Sequence, residues 1–140
     1  MQFTLYADGG SRGNPGPAGA GAVVFNETGK RVVEVADYLG VATNNIAEYE
    51  AVLRGLKALL KEFPEDYFKT AHVAIRMDSK LVIEQLKGAY KVKHPNLVPR
   101  YLEVKNVIAR NFANISYAHV PREKNKDADA LANQAMDNGK

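Results

Sequence analysis

Four separated carboxylates each stand in a distinctive polar setting. Asp8 ends the alternating run that begins at Phe3 and opens Asp8-Gly9-Gly10-Ser11-Arg12-Gly13-Asn14-Pro15-Gly16. Glu48 follows Thr43-Asn44-Asn45, Asp78 closes an apolar stretch just before Ser79, and Asp129 lies in Asn125-Lys126-Asp127-Ala128-Asp129-Ala130-Leu131-Ala132. Hard divalent cations take oxygen ligands, and Mg²⁺ sites combine a few carboxylates with water and substrate phosphate. Four acids brought together would suit two such ions, able to clamp the attacking and leaving oxygens of a phosphodiester. Without cations their mutual repulsion would be costly, so convergence of the four implies metal.

Each acid also has a local explanation. Asp8 fits a strand end turning into glycine. Glu48 fits a capping box in which Asn45 is the N-cap of a helix. Asp78 precedes Ser79, itself a helix cap, although carboxyl ends of strands in α/β sheets are also common ligand sites. Asp129 suits the first turn of a helix, where a carboxylate meets the positive end of the dipole, and Asp127 fits that description equally.

The elements that must position these residues follow from periodicity. Phe3, Leu5 and Ala7 alternate with polar residues, which predicts a strand with Asp8 on the face of Thr4 and Tyr6. Residues 20–26 and 31–39 predict two more strands joined by a turn at Glu27-Thr28-Gly29-Lys30, giving an antiparallel meander. Residues 9–16 read as a glycine-rich loop, not a P-loop, since no Gly-Lys-Ser/Thr follows. The period then changes: Tyr49, Val52, Leu53, Leu56, Leu59, Leu60 and Phe63 share one face of a helix over 45–63, stopped by Pro64. A strand at 71–77, a short helix at 79–86, a helix at 97–112 with Pro99 in its first turn, a strand at 115–119 and a helix at 125–136 complete the reading. Three strands followed by alternating helices and strands imply an α/β fold with a mixed sheet flanked by helices.

Composition sets outer limits. A length of 140 residues suits one domain with one core. No apolar run reaches the length of a membrane span, and the start lacks a secretory signal pattern. Cysteine is absent, which excludes disulfides and thiolate metal sites and is compatible with a cytoplasmic location. The net charge is +3, unevenly spread: residues 1–66 hold 6 Lys/Arg and 9 Asp/Glu, whereas residues 67–140 hold the remaining 13 and 7. A basic half beside an acidic cluster suits a polyanion held next to metal. Lys87, Tyr90, Lys91, Lys93 and His94 form a basic stretch with an aromatic inside it, a candidate phosphate-tracking rim.

At the level of motifs the chain resembles the type 1 ribonuclease H family over nearly its whole length, from Phe3 to about Met136. The matching pieces come in family order: Asp-Gly-Gly-Ser-Arg-Gly-Asn-Pro-Gly-Pro-Ala-Gly, Thr-Asn-Asn-Ile-Ala-Glu, Asp-Ser-Lys-Leu-Val, and His-Val-Pro-Arg-Glu-Lys-Asn running into Lys-Asp-Ala-Asp-Ala-Leu-Ala. The His-Val-Pro-Arg-Glu form is similar to the archaeal and minimal bacterial branch. The resemblance implies the ribonuclease H fold, a five-stranded mixed sheet with its first three strands antiparallel. It selects Asp129 over Asp127, because the family's acid directly precedes x-Leu-Ala. It implies that Asp8, Glu48, Asp78 and Asp129 are the catalytic and metal residues, holding two Mg²⁺ ions, with Mn²⁺ able to substitute.

The same resemblance assigns secondary roles. His119 matches a loop histidine that assists proton handling or product departure, and the neighbouring Arg122 could share that role or contact phosphate. Backbone at Gly9 and Gly10 matches the RNA-strand contact, Asn14 and Thr43 the pocket for a DNA-strand phosphate, and Asn44 and Asn45 the residues reaching base edges. Lys80 stands where many members carry a glutamine that contacts substrate. There is no tryptophan, and the interval from Leu86 to Leu97 is short, so the basic protrusion of some members is expected to be missing and substrate binding weaker. The implied activity is hydrolysis of the RNA strand of an RNA–DNA hybrid to 5′-phosphate and 3′-hydroxyl ends by a single domain, expected to be a monomer without an obligate protein partner. The alternatives are a non-catalytic hybrid-binding module, which would not call for four clustered acids, and another metal nuclease of the same fold.

Overall fold

The computed structural model describes residues 1–139. Strands β1 (Gln2–Ser11), β2 (Gly16–Asn26) and β3 (Arg31–Ala42) are followed by α1 (Asn44–Glu62), β4 (His72–Met77), α2 (Lys80–Lys87), α3 (Val98–Asn111), β5 (Asn114–His119) and α4 (Lys126–Asn138). They build one five-stranded sheet in the order β3-β2-β1-β4-β5. The first three strands pair antiparallel, and β4 and β5 run parallel to β1 and to each other, as expected.

The meander reaches further than its hydrophobic alternation. Gly9, Gly10 and Ser11 stay in the ladder opposite Ala20, Gly19 and Ala18. The glycine-rich loop expected at residues 9–16 therefore shrinks to residues 12–15. Glycine weakens a strand signal in sequence, but here the neighbouring ladder holds the backbone extended. Beyond Leu39, β3 also continues to Ala42 through a register shift against Ala18 and Gly19, with Gly40 at φ +73°. Such a bulge admits one unpaired residue and bends the strand. A 3-10 turn at Glu65–Lys69, which periodicity did not predict, follows Pro64 and buries Phe68.

Two helices clamp the meander from opposite faces. Adjacent residues of β2 show this: Ala22 faces Gly55 of α1, whereas Gly21 faces the backbone of α4 at Ala128. A side chain at Gly21 would overlap the Ala128 carbonyl, so α4 can approach only because this position is glycine. The larger core lies on the α1 side. Leu5, Tyr49, Leu56, Leu59, Ile75, Ile83 and Leu86 are all inaccessible there. Phe3, Phe63, Phe68 and Phe112 close the end of the sheet where β1 begins, with centroid separations of 5.0 Å for Phe3–Phe63 and for Phe68–Phe112. That apolar plug leaves the opposite end of β1 and β4 for polar residues.

Candidate active site

Asp8 lies on β1 and Asp78 one residue beyond β4, so the central parallel strands deliver two carboxylates to the same edge of the sheet. Glu48 comes from the second turn of α1 on one side and Asp129 from the first turn of α4 on the other. All four line one open cleft of about 1070 Å³, together with Gly9, Gly10, Asn44, His119 and Arg122. Among the lining residues that escaped sequence reasoning are Arg12, Asn133, Ala132 and Met136. Arg12 reaches across to Asp137 near the end of α4 at 2.6 Å, a long-range pairing without a local sequence signal.

A missing side chain makes the convergence possible. A Cβ on Gly9 would overlap the backbone of Ala47 and Glu48, so the end of β1 lies against the start of α1. Here the demand for glycine comes from α1 rather than from a nucleic acid. Gly10 is different: a Cβ there would meet only the Met136 side chain at 3.4 Å, and its backbone stays on the cleft wall.

The electrostatics are those of crowded acids. Burial is the main cause that raises the Asp8 carboxyl to about 8, reinforced by a hydrogen bond with Asp129 and by the charges of Asp78, Asp129 and Glu48. Burial raises Glu48 to about 7, opposed by a hydrogen bond to Ser79 and assisted by the charge of Asp78. Ser79 is also the N-cap of α2, its hydroxyl accepting from Val82 N at 3.3 Å. The expected capping box at Glu48 is not formed. Thr43, not Asn45, is the N-cap of α1, accepting from Ile46 N at 3.2 Å, which puts Glu48 beyond capping reach and frees it for the cleft.

This donor set fits hard divalent cations. It is all oxygen, and it carries a repulsion that bound positive charge would relieve. Among the described residues no three acidic or histidine side chains already enclose a single point as a metal cage. A closed cage is not required, because Mg²⁺ is commonly held by one or two carboxylates while water and phosphate supply the rest.

His119 ends β5 and its Nε2 lies 3.3 Å from the carbonyl oxygen of Asp78. Arg122, largely exposed, comes within 3.9 Å of the Asp78 carboxylate. Both are on the cleft wall, as expected. Lys80, exposed at the first position of α2, lines neither this cleft nor the next recess.

Asn14, Thr43 and Asn45 line a separate recess of about 190 Å³ with His94, Asn96 and Leu97. Internal bonds orient Asn14 in this recess and Asn44 on the wall of the acidic cleft. The Asn14 side-chain oxygen accepts from Asn44 N at 3.1 Å, and the Asn44 side-chain oxygen accepts from Ser11 N at 2.7 Å. Both amide NH₂ groups are left to donate outward. Asn96 was missed in the sequence, although a polar residue just before the start of α3 is a recognisable anion-facing position. Lys87, Lys91 and Lys93 line neither cavity, and Lys87 lies 3.8 Å from Glu84.

A mixed sheet of this strand order, with acids from two central strands and two flanking helices at one edge, defines the ribonuclease H fold. The comparisons agree. The family model described as "Reverse transcriptase-like" matches residues 6–135. The bifunctional protein Rv2228c of Mycobacterium tuberculosis is 46% identical over 98% of this chain and 36% of its own length. Ribonuclease HI of Halobacterium salinarum is 42% identical over 94% of this chain and 63% of its own. Thus the chain spans little more than a third of the first of these relatives. Among solved structures, LC11-RNase H1, isolated from compost by a metagenomic approach, superimposes with a TM-score of 0.92 at 42% identity, covering 98% of this chain and 96% of that one. The same enzyme in complex with an RNA/DNA hybrid gives a TM-score of 0.93 at 42% identity, covering 97% of each chain. The chain belongs to the type 1 ribonuclease H family.

Proposed function

We propose that this protein hydrolyses the RNA strand of an RNA–DNA hybrid in a reaction that depends on divalent cations. The observation that carries this reading is the convergence of Asp8, Glu48, Asp78 and Asp129 on one open cleft beside a recess lined with neutral hydrogen-bond donors. Solved relatives include a ribonuclease H captured with an RNA/DNA hybrid. Asp8, Glu48, Asp78 and Asp129 would hold two Mg²⁺ ions, or Mn²⁺ in their place, whose chemistry when bound is to stabilise charge on the attacking and leaving oxygens.

The chain's own residues do the rest. Gly10 offers backbone without a side chain on the cleft wall, so an RNA sugar can approach and its 2′-hydroxyl can be sensed. The outward amide of Asn14, with the Thr43 hydroxyl, presents donors to a phosphate of the opposite strand, while Asn44 and Asn45 stand next along the chain to meet base edges. Phosphate contacts of this kind fix register without reading sequence. His119 and Arg122 stand beside Asp78, where they can pass a proton or help a phosphate leave. Direct attack by water needs no covalent intermediate on the protein, and the ends formed are 5′-phosphate and 3′-hydroxyl.

The test is a matched set of strand-labelled substrates: RNA–DNA hybrid, DNA duplex, RNA duplex and single-stranded RNA. Cutting confined to the RNA of the hybrid, with little base preference, is the expected result. Equal cutting of the DNA duplex or of free RNA would refute the substrate assignment.

A further inference from the structure

We infer that Asn125 is a positioning residue that fixes the Asp78 carboxylate for cation binding; the inference rests on the metal-dependent reading of the cleft. Asn125 is buried at 1% exposure in a chain whose other polar residues lie mostly outside. Its side-chain amide donates to the Ala7 carbonyl at 3.0 Å and faces the Asp78 carboxylate at 3.4 Å. Its backbone carbonyl accepts from Asp129 N at 3.1 Å. One residue therefore joins the peptide just before Asp8, the carboxylate after β4 and the backbone of the fourth acid.

The fold alone does not explain this arrangement. Asn125 is the N-cap residue of α4, and asparagine there ordinarily accepts from an N–H of the first turn. Here its side chain makes no cap bond. The side-chain oxygen is buried with no partner at all. Reversing the amide would not help, because that oxygen would then face two acceptors, the Ala7 carbonyl and the Asp78 carboxylate. A forfeited cap and an orphaned acceptor are both unfavourable. They are accounted for if the amide is needed at the strand ends.

The chemistry of the amide suits that place. A lysine or arginine would also hold Asp78, but its charge would compete with a cation for the carboxylate. An amide donates while remaining neutral, so it can orient one carboxylate oxygen without cancelling its charge; the other oxygen faces the exposed Arg122 at 3.9 Å. Donors of this kind, one step behind the ligands, typically influence metal affinity by roughly 10–100-fold.

The experiment uses Asn125→Ala and the volume-matched Asn125→Leu, in wild-type and Asp78→Asn backgrounds. Thermal unfolding of the free protein is followed across a Mg²⁺ titration, with no nucleic acid present, since a cation that binds the folded state raises its Tm. In both Asn125 variants the Mg²⁺ concentration giving half of the Tm rise should increase roughly 10–100-fold. In the Asp78→Asn background the same substitutions should change the titration little, because the carboxylate they act through has gone. A lower Tm with an unchanged Mg²⁺ midpoint would make Asn125 merely structural and overturn the inference. Failure of both variants to fold, even with Mg²⁺, would also assign it to the fold. A wild type indifferent to Mg²⁺ would instead strike at the metal reading itself, and the inference would fall with it.

Discussion

Asp8 and Glu48 show at the scale of single residues what the cleft is poised to do. Both carboxyls are held above their ordinary values, Asp8 at about 8 rather than 3.8 and Glu48 at about 7 rather than 4.5, in each case chiefly by burial. The metal-free folded chain then binds more protons than the unfolded chain across those intervals. Stability present below the unfolded values is lost as pH rises through the folded ones. The Tm of the protein in chelator should therefore fall steadily between about pH 4 and pH 8. Mg²⁺ should flatten that decline by binding the ionised carboxylates and releasing their protons. Calorimetry across this pH range, with chelator and with Mg²⁺, checks both statements; a metal-free Tm that climbs toward pH 8 would contradict the crowding of the acids. The four carboxylates were singled out in the sequence because motifs resembling one family occur in order around them; taken singly, each acid also had a local explanation. Asn125 was not singled out, since an asparagine before a helix reads as an ordinary cap and only the tertiary structure turns its side chain to the strand ends.

Among the elements, the approach of β1 to α1 decides whether Asp8 and Glu48 meet. Gly9→Ala places a methyl group against the Ala47 and Glu48 backbone. Overpacking of this kind costs about 1–3 kcal/mol. Because backbone must give way, the two acids should separate, and activity should fall well beyond the decrease in folded protein. Gly10→Ala, next along the strand and facing only the flexible Met136, is the control and should keep its stability. Measuring Tm for both variants and cleavage for Gly9→Ala tests the claim, and an equal change of Tm in the pair would refute it. Every helix and strand expected from periodicity is present, with ends displaced by a few residues. The displacements share a cause: β1 and β3 run on through glycines because partner strands hold them, and α1 starts at Asn44 because the Thr43 hydroxyl rather than Asn45 takes the cap. Neither pairing partner nor competing cap is written in the local pattern. The close approach of α4 to Gly19 and Gly21 was likewise invisible, since glycine in a strand signals a near neighbour without saying which.

At the scale of the whole molecule, an acidic cleft belongs to a chain of net positive charge. The chain carries +3 overall, with the excess of lysine and arginine in residues 67–140. Lys91 and Lys93 are exposed on the segment that ends at His94, and His94 itself lines the recess shared by Asn14 and Thr43. A duplex phosphate backbone following that segment would meet the lysines in passing. Replacing Lys87, Lys91 and Lys93 together by alanine should weaken hybrid binding. It should also flatten the plot of log affinity against log salt by about 0.7–0.9 for each phosphate that is no longer neutralised. An unchanged slope would mean that these lysines are only a solvated loop. The central claim is that the four acids form one cation-dependent hydrolytic centre, and Asp78→Asn tests it most directly because it keeps the shape of the ligand and removes its charge. Single-turnover cleavage of an RNA-labelled hybrid at saturating Mg²⁺ should slow by roughly 10²–10³-fold or more, the scale of losing one stabiliser of transition-state charge. Folding and hybrid binding should be retained. Near-normal cleavage by Asp78→Asn, or wild-type cleavage that persists in chelator, would contradict the account.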